Sequence, residues 1–215
     1  MPLANHKMIG VILPTRGLIF TEVENALDKN LESYDHKIYR SFTLPIPDCQ
    51  NFLVEQALKD NPSYLLFVEE DVVIPDGTLT KMLLKDGDIV ALDYGVEGWG
   101  CVTKDSSDKI LWCGLGCTLV KREVFDKLDK PYFRSDIELR LNDWTWIKSP
   151  PDKYGGQDIY FGCKSREAGF KIVQVEGEAK HLKLESLGQP TINNGLHQIG
   201  VKPNITKNQI LDEGR

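Results

Sequence analysis

Short apolar runs and stripes of helical period alternate along the first half of the chain. The runs are rich in branched and aromatic residues and are bounded by turn residues, which is typical of strands covered on both faces. The stripes have the spacing of helices that pack one face on a sheet. The pattern predicts strands at 8–13, 36–44, 64–68 and 88–92, and helices at 21–31, about 48–60 and about 76–85. This order is that of βαβ units, so we expect an α/β fold with a mostly parallel sheet.

Two of the predicted helices begin with capping signals. Thr21 and Glu24 have the spacing of a capping box. Asp48 precedes the apolar stripe of the second helix, and we expect it to be the N-cap.

The second half of the chain has weaker periodicity. Glycines interrupt short strands between 93 and 121, and a short helix is expected at 122–128. Gly155-Gly156-Gln157-Asp158 precedes a predicted helix that runs to about 169, and a closing strand is expected at 171–175. The segment 131–151 is predicted to be a loop with aromatic anchors, which are Tyr132, Phe133, Trp144 and Trp146. We expect one domain over 1–185 and a polar tail or lid over 186–215.

Three consecutive acids, Glu69, Glu70 and Asp71, follow the apolar run 64–68 directly. Open α/β sheets bind their ligands at the carboxyl ends of strands, where these acids are expected to lie. Alternate carboxylates such as Glu69 and Asp71 can approach one cation and supply the oxygen ligands that Mg²⁺ and Mn²⁺ prefer. The alternative is a solvated acidic turn, because surface loops are commonly polar.

Composition narrows the class of protein. A chain of 215 residues with 41% hydrophobic residues can bury one core, so a single domain is the simplest expectation. It has no apolar run long enough to cross a membrane and no signal peptide, so we expect a cytoplasmic protein. Five scattered cysteines argue against a disulfide framework, and Cys113 and Cys117 are expected to be buried thiols and not zinc ligands. A net charge of −6 gives no overall attraction to nucleic acid, although a local basic groove stays possible.

Four segments in this order resemble the GT-A-type glycosyltransferases, especially the compact family-2-like enzymes. They are FVEEDVVIP, GLGCTLVKREVFDKL, GGQDIYFGCKSREAGFKI and KHLKL, the last of which contains His181. The resemblance implies a GT-A-like (Rossmann-like) mixed, mostly parallel sheet flanked by helices. It also implies inverting transfer of a hexose or pentose from a nucleotide-diphosphate donor, a UDP-sugar above all, to a hydroxyl acceptor. The donor half would cover about 1–95 and the acceptor half about 96–185.

The resemblance also assigns site residues. Glu69 and Asp71 match the DxD motif that binds Mn²⁺ or Mg²⁺, and His181 matches a histidine that also binds the cation. The glutamate at position 69 departs from the first aspartate of the motif, so Asp71 is favoured as the ligand. The residues matched to donor binding are Pro14, Thr15, Arg16, Asn51, Glu70, Asp93, Gly114 and Gly116. Four of these assignments have plain structural alternatives: Arg16 as a solvated loop cation, Asp93 as a turn cap, and Gly114 and Gly116 as parts of a tight hairpin. For His181, the alternative is an ordinary surface or packed histidine.

Asp158 matches the family's catalytic acid, which deprotonates the acceptor hydroxyl, while Gln157 replaces the acidic neighbour that is usual there. A carboxylate near a hydroxyl that loses its proton can act as a general base. The alternative is a first-turn acid that stabilises the amino end of a helix. Trp144 and Trp146 match the acceptor side, where they could stack on a sugar or base or anchor the loop.

The sequence leaves the acceptor open among a saccharide, a protein, a lipid headgroup and a hydroxylated DNA base. Lysines near the two tryptophans keep the DNA base possible, although an ordinary solvated surface explains them better. They are Lys148, Lys153, Lys164 and Lys171. A nucleotidyltransferase is an alternative that lacks a glycine-rich, lysine-bearing phosphate loop after the first strand. A non-catalytic protein that binds nucleotide sugars or carbohydrate is another.

Overall fold

The computed structural model describes residues 8–41, 44–96, 99–135, 138–140, 146–148, 156–182 and 196–198. Five strands run parallel in its main sheet: β1 (Ile9–Pro14), β3 (His36–Ser41), β4 (Tyr64–Val68), β6 (Ile89–Val96) and β13 (Ile172–His181). β10 (Cys117–Lys121) is antiparallel between β4 and β6, and β5 (Val72–Val73) is antiparallel beside β13. The strand order is β3-β1-β4-β10-β6-β13-β5, and β7 (Trp99–Gly100) pairs with β6.

In the part of the chain that the structure describes, five helices cover this sheet. Alternate side chains of β4 enter two different cores, since Leu66 and Val68 belong to one and Leu65 and Phe67 to the other. α1 (Thr21–Leu31) and α3 (Thr78–Leu84) supply the first core. α2 (Asp48–Lys59), α4 (Arg122–Lys127) and α5 (Gln157–Glu167) supply the second. The predicted fold class, an α/β domain with a mixed, mostly parallel sheet flanked by helices, is confirmed.

Three short strand pairs lie outside the main sheet. β8 (Val102–Lys104) pairs with β9 (Ile110–Cys113), and β11 (Glu138–Arg140) pairs with β12 (Trp146–Lys148). The second pair lies in the segment 131–151, so the prediction of a loop there was incomplete. β2 (Leu18–Phe20) pairs with β14 (Leu196–Gln198), which brings part of the predicted tail back beside the chain that follows β1.

The ends of several elements differ from the prediction. β13 continues to His181, because after a register shift Glu178 and Ala179 pair with β6, and the last two residues pair with β5. Its second half alternates polar and small residues, which hid the strand in the sequence. Phe20 and Pro47 are the N-caps of α1 and α2 and make no side-chain capping bond, so the predicted caps Thr21 and Asp48 are the first residues inside their helices.

The cysteine prediction agrees with the structure, since all five cysteines are free thiols and Cys113 and Cys117 are buried. Among the residues described, no helix is both long and apolar enough to cross a membrane.

α5 lies unusually close to the strand beneath it. Phe161 stacks on Phe125, with ring centroids 5.5 Å apart, and lies 5.0 Å from the ring of Phe133. One residue further along α5, Gly162 faces the backbone and Cβ of Trp112 on β9. A Cβ at position 162 would lie 2.6 Å from the Cβ of Trp112, so only glycine permits this approach.

We predict that Gly162→Ala destabilises the protein although alanine is the better helix former by about 1 kcal/mol. The added methyl group must push α5 away from β9, and overpacking of this kind costs about 1–3 kcal/mol. Denaturant unfolding should show a lower free energy of unfolding for Gly162→Ala, whereas the exposed control Glu167→Ala should change it by less than about 0.5 kcal/mol. Unchanged or higher stability of Gly162→Ala would contradict the close packing.

Candidate active site

The three acids follow β4 at its carboxyl end, and neighbouring elements fix their backbone. The N–H of Glu69 donates to the carbonyl of Gly116 (3.3 Å), and the N–H of Phe20 donates to the carbonyl of Glu70 (3.2 Å). The N–H of Leu182 donates to the carbonyl of Asp71 (2.7 Å). The backbone of the acids is therefore bonded to the loop before β10, to β2 and to the residue after β13. The three acids do not form a freely solvated turn.

Glu70 holds Arg16. The Glu70 carboxylate is buried and accepts hydrogen bonds from the backbone N–H of Arg16 (2.6 Å) and from its Nε. The Nη2 of Arg16 also lies 3.3 Å from Oδ2 of Asp71. The sequence predicted both residues as donor contacts. In the structure Glu70 fixes Arg16, and the Arg16 side chain is 64% exposed.

His181 meets Asp71 at the same carboxylate oxygen. Its Nε2 lies 3.6 Å from Oδ2 of Asp71, and its Nδ1 lies 3.1 Å from the carbonyl oxygen of Gly95. A carbonyl only accepts, so Nδ1 carries the hydrogen and the neutral ring has its lone pair on Nε2, towards Asp71. A backbone partner that fixes the tautomer in this way is typical of metal-binding histidines.

Asp71 and His181 suit a divalent cation whose other ligands come from a bound substrate. Carboxylate and imidazole suit Mn²⁺, and Mg²⁺ is commonly bound through one or two carboxylates together with substrate phosphates. Within the described part of the chain, no group of three or more His, Cys, Asp or Glu side chains could hold a metal ion. Glu69 therefore does not complete a three-ligand cluster with Asp71 and His181, and its predicted ligand role stays a prediction.

Glu69 is affected by two other acids of the site. Burial above all, together with the charges of Asp71 and Asp158, raises its pKa to about 8. Burial also raises the pKa of Asp71, while His181 and Arg16 lower it. Glu69 therefore takes up a proton near neutral pH more readily than an ordinary glutamate does.

Tyr94 explains the glycines at positions 114 and 116, and sequence analysis did not identify it. The buried Tyr94 hydroxyl accepts a hydrogen bond from the N–H of Gly116 (2.9 Å). A Cβ at position 114 would lie 2.4 Å from this hydroxyl, and one at position 116 would lie 2.6 Å from Cζ of Tyr94 and 2.9 Å from Oε2 of Glu69. Gly114 and Gly116 thus make room for the Tyr94 ring, whatever further role they have towards a donor sugar.

Asp93 and Asn51 use their hydrogen bonds within the fold. Oδ1 of Asp93 accepts from the N–H groups of Tyr94 (3.0 Å) and Cys101 (2.7 Å), which matches the predicted alternative of a turn cap. Oδ1 of Asn51 accepts from the N–H groups of Tyr132 and Phe133, and its Nδ2 donates to the carbonyl of Phe133. Asn51 thus ties α2 to the segment before β11. Donor contacts by these two residues stay predictions.

A cavity of about 470 Å³ opens beside the acids. Its lining includes apolar residues, Leu44, Pro45 and Ile46, and charged residues, Arg16 and the three acids. The lining residues are Pro14, Thr15, Arg16, Leu44, Pro45, Ile46, Cys49, Glu69, Glu70 and Asp71. The Thr15 hydroxyl is engaged in its own turn, since it donates to the carbonyl of Leu18 (2.7 Å) and accepts from the N–H of Gly17 (3.0 Å).

Asp158 lies in the first turn of α5, whose N-cap is Gly156. Its Oδ1 accepts a hydrogen bond from the N–H of Ile159 (2.8 Å), and burial raises its pKa. Its charge contributes to the raised pKa of Glu69, so the two carboxyl groups lie within electrostatic range of each other. This position is compatible with both predicted roles, a base and a first-turn acid.

The acceptor side is described only in part. Trp144 lies outside the described residues, and Trp146 belongs to β12. Of the lysines considered for nucleic acid, Lys164 pairs with Glu167 and Lys171 with Asp86, which is typical of an ordinary solvated surface.

No protein-family profile matches the sequence, and no curated protein does. Solved structures resemble it in fold. A197 from STIV has a TM-score of 0.60 at 17% identity, over 94% of this chain and 98% of that one, so the two share a fold. The catalytic domain of Drosophila beta1,4galactosyltransferase 7 has a TM-score of 0.49 at 12% identity, over 97% and 80%. Glucosyl-3-phosphoglycerate synthase from Mycobacterium tuberculosis, solved with Mn²⁺ and UDP-glucose, has a TM-score of 0.40 at 13% identity, over 85% and 74%.

We predict that Tyr94→Phe rescues Gly114→Ala more than it rescues Gly116→Ala. Removing the hydroxyl removes the contact at 2.4 Å that opposes a Cβ at position 114. At position 116 it removes a contact at 2.7 Å, but the contacts with Cζ of Tyr94 at 2.6 Å and with Oε2 of Glu69 at 2.9 Å stay. The destabilisation caused by Gly114→Ala, about 1–3 kcal/mol, should fall by about 1 kcal/mol in the Tyr94→Phe background. The destabilisation caused by Gly116→Ala should fall by less. Denaturant unfolding of the two double-mutant cycles measures this, and additive effects at position 114 would contradict it.

Proposed function

We propose that this protein is a glycosyltransferase that moves a sugar from a nucleotide-diphosphate donor to a hydroxyl acceptor with the help of Mn²⁺ or Mg²⁺. One observation carries the proposal: the guanidinium of Arg16 and the Nε2 of His181 converge on Oδ2 of Asp71 beside the cavity. A cation, a positive side chain and a half-apolar cavity are what recognition of a nucleotide diphosphate requires.

The cavity lining offers two kinds of surface that match the two parts of the donor. Leu44, Pro45 and Ile46 offer apolar surface to the flat nucleobase. Arg16 and Asp71 offer the cationic and metal-binding groups that diphosphate oxygens need. A UDP-sugar is the donor class that we favour, on the family resemblance in the sequence.

Asp71 and His181 would hold the cation, which when bound offsets negative charge on the departing diphosphate. Glu70 fixes Arg16 where its guanidinium can contact phosphate oxygens. Asp158 would accept the proton of the acceptor hydroxyl while the acceptor oxygen bonds to the anomeric carbon and the bond from that carbon to the diphosphate breaks. Attack from the face opposite the leaving group inverts the anomeric centre. The raised pKa of Asp158 favours this role, because it makes the carboxylate a better proton acceptor.

The proposal is tested by a screen of nucleotide sugars with Mn²⁺. Thermal shift should show one donor class that raises the melting temperature only when the cation is present, since binding to the folded state alone stabilises it. That donor should then be hydrolysed slowly to the free sugar and the nucleoside diphosphate. Release of pyrophosphate instead would indicate a nucleotidyltransferase, and binding without turnover under any condition would indicate a binding protein. If no nucleotide sugar binds, the proposal is wrong.

We predict that Asp71→Asn and His181→Ala each weaken binding of the donor in the presence of Mn²⁺ by at least about 10-fold, because each removes a ligand of the cation. Calorimetry with UDP and Mn²⁺ measures this. Asp76→Asn is the matched control, since this acid lies five residues from Asp71 in sequence and is exposed. Equal affinities for UDP in the wild type and the three variants would show that Asp71 and His181 do not bind the cation.

We predict that Asp158→Asn lowers the rate of sugar transfer by about 10²- to 10⁴-fold at saturating donor while donor binding persists. Burial raises the folded-state pKa of Asp158 above its unfolded value, so its ionisation destabilises the fold as the pH rises above the unfolded pKa. Asparagine has no charge to bury and still accepts from Ile159, so the melting temperature at neutral pH should be unchanged or higher. A lower melting temperature with normal transfer would show that Asp158 only stabilises the helix.

A further inference from the structure

Oδ2 of Asp71 is shared by two side chains. Nη2 of Arg16 lies 3.3 Å from this oxygen, and Nε2 of His181 lies 3.6 Å from it. Under the proposed function, this same carboxylate is the ligand of the cation. The guanidinium of Arg16 therefore occupies an oxygen that the cation also needs.

Arg16 is anchored at one end and open at the other. Its backbone N–H and its Nε are bound by Glu70, whose side chain is 8% exposed, so this half of the contact is fixed. The Arg16 side chain as a whole is 64% exposed, and its longer contact to Asp71 is made by the terminal Nη2. The guanidinium is one rigid plane, so it would pivot as a whole about its Nε contact with Glu70 to exchange Asp71 for a new partner, and the backbone bond to Glu70 would be unaffected.

A guanidinium and a divalent cation repel each other when they lie at one carboxylate. The repulsion is stronger here than in bulk water, because Asp71 is largely shielded from solvent, with a side chain 15% exposed. A diphosphate relieves it, since its oxygens can accept hydrogen bonds from Nη2 and at the same time bind the cation.

We propose that Arg16 competes with the divalent cation for Asp71 and moves to the diphosphate when a nucleotide binds. The cation and the nucleotide diphosphate then bind cooperatively, and each strengthens the other by the same factor. The inference rests on the proposed function, because it assigns to that site a coupling between its two ligands. The cation alone binds weakly in this scheme, and the site fills when both are present.

The test measures binding of Mn²⁺ alone, by electron paramagnetic resonance or calorimetry, and then binding of Mn²⁺ with UDP. Arg16→Gln removes the competitor but leaves the buried Glu70 carboxylate without its cation, which threatens the fold. Arg16→Gln/Glu70→Gln removes both charges, so the local net charge equals that of the wild type. Arg122→Gln is the control for loss of a positive charge, since Arg122 pairs with Asp126 in α4.

Both variants of Arg16 should bind Mn²⁺ alone about 3- to 10-fold more tightly than the wild type, as expected when a like charge leaves a partly buried ligand. The factor by which UDP strengthens Mn²⁺ binding should fall by a similar amount. Arg122→Gln should match the wild type in both measurements. Tighter Mn²⁺ binding in the double variant cannot come from net charge, so it would support competition at Asp71.

Equal or weaker binding of Mn²⁺ alone in the double variant would overturn the inference, as would absence of Mn²⁺ binding in all the proteins. Failure of the inference and failure of the proposed function give different results. Cooperative binding of Mn²⁺ and UDP that is unchanged in the double variant overturns only the inference. Competition at Asp71 without turnover of any nucleotide sugar supports the inference and overturns the proposed function.

Discussion

Three carboxyl groups at the end of one central strand impose the constraint on which the rest of the site depends. β4 lies between β1 and β10, so the backbone of Glu69, Glu70 and Asp71 cannot move away to separate the charges. Each group is compensated differently. Arg16 neutralises the buried Glu70, His181 and Arg16 approach Asp71, and Glu69 has a pKa raised to about 8 so that it can carry a proton. A site that concentrates acids in this way attracts cations, and the arrangement around it decides where a cation can bind.

Tyr94 and the aromatic core make this arrangement rigid. The Tyr94 ring packs edge-on against His181, with centroids 5.7 Å apart, and its hydroxyl fixes the loop at Gly116. On the other face of the sheet, Phe67 of β4 packs against Phe133, whose ring contacts Phe161 of α5. The strand that carries the acids and the helix that carries Asp158 are thereby joined through one set of rings. Sites held by packed elements keep the geometry that catalysis requires.

Local sequence signals predicted the elements and the place of the acids. The run Tyr64–Val68 and the helix Thr21–Leu31 were predicted with their observed bounds, because apolar periodicity is strong there. The prediction of element ends failed where contacts with distant strands determine the structure. β13 reaches His181 through pairing with two other strands, and its polar second half resembles a loop in the sequence.

The candidate site was predictable only in part for the same reason. Acids after a buried strand are a local signal, so Asp71 was found. The reason for glycine at positions 114 and 116 is a ring that lies about twenty residues away in sequence, and no local pattern indicates it. The hydrogen bonds of Asn51 with Tyr132 and Phe133 span about eighty residues, and no local sequence pattern indicates them either. Sequence reasoning assigned these residues to ligand binding, whereas their described contacts are within the fold.

We propose that one cation site, formed by Asp71 and His181, receives the diphosphate of a nucleotide. The decisive measurement is a crystal structure with UDP and Mn²⁺, with X-ray data collected at the manganese absorption edge. We expect one anomalous peak within coordination distance of Oδ2 of Asp71 and Nε2 of His181, with the diphosphate bound to it and the base beside Pro45 and Ile46. A peak at another place, or UDP bound without a peak between Asp71 and His181, would show that these two residues do not hold the cation.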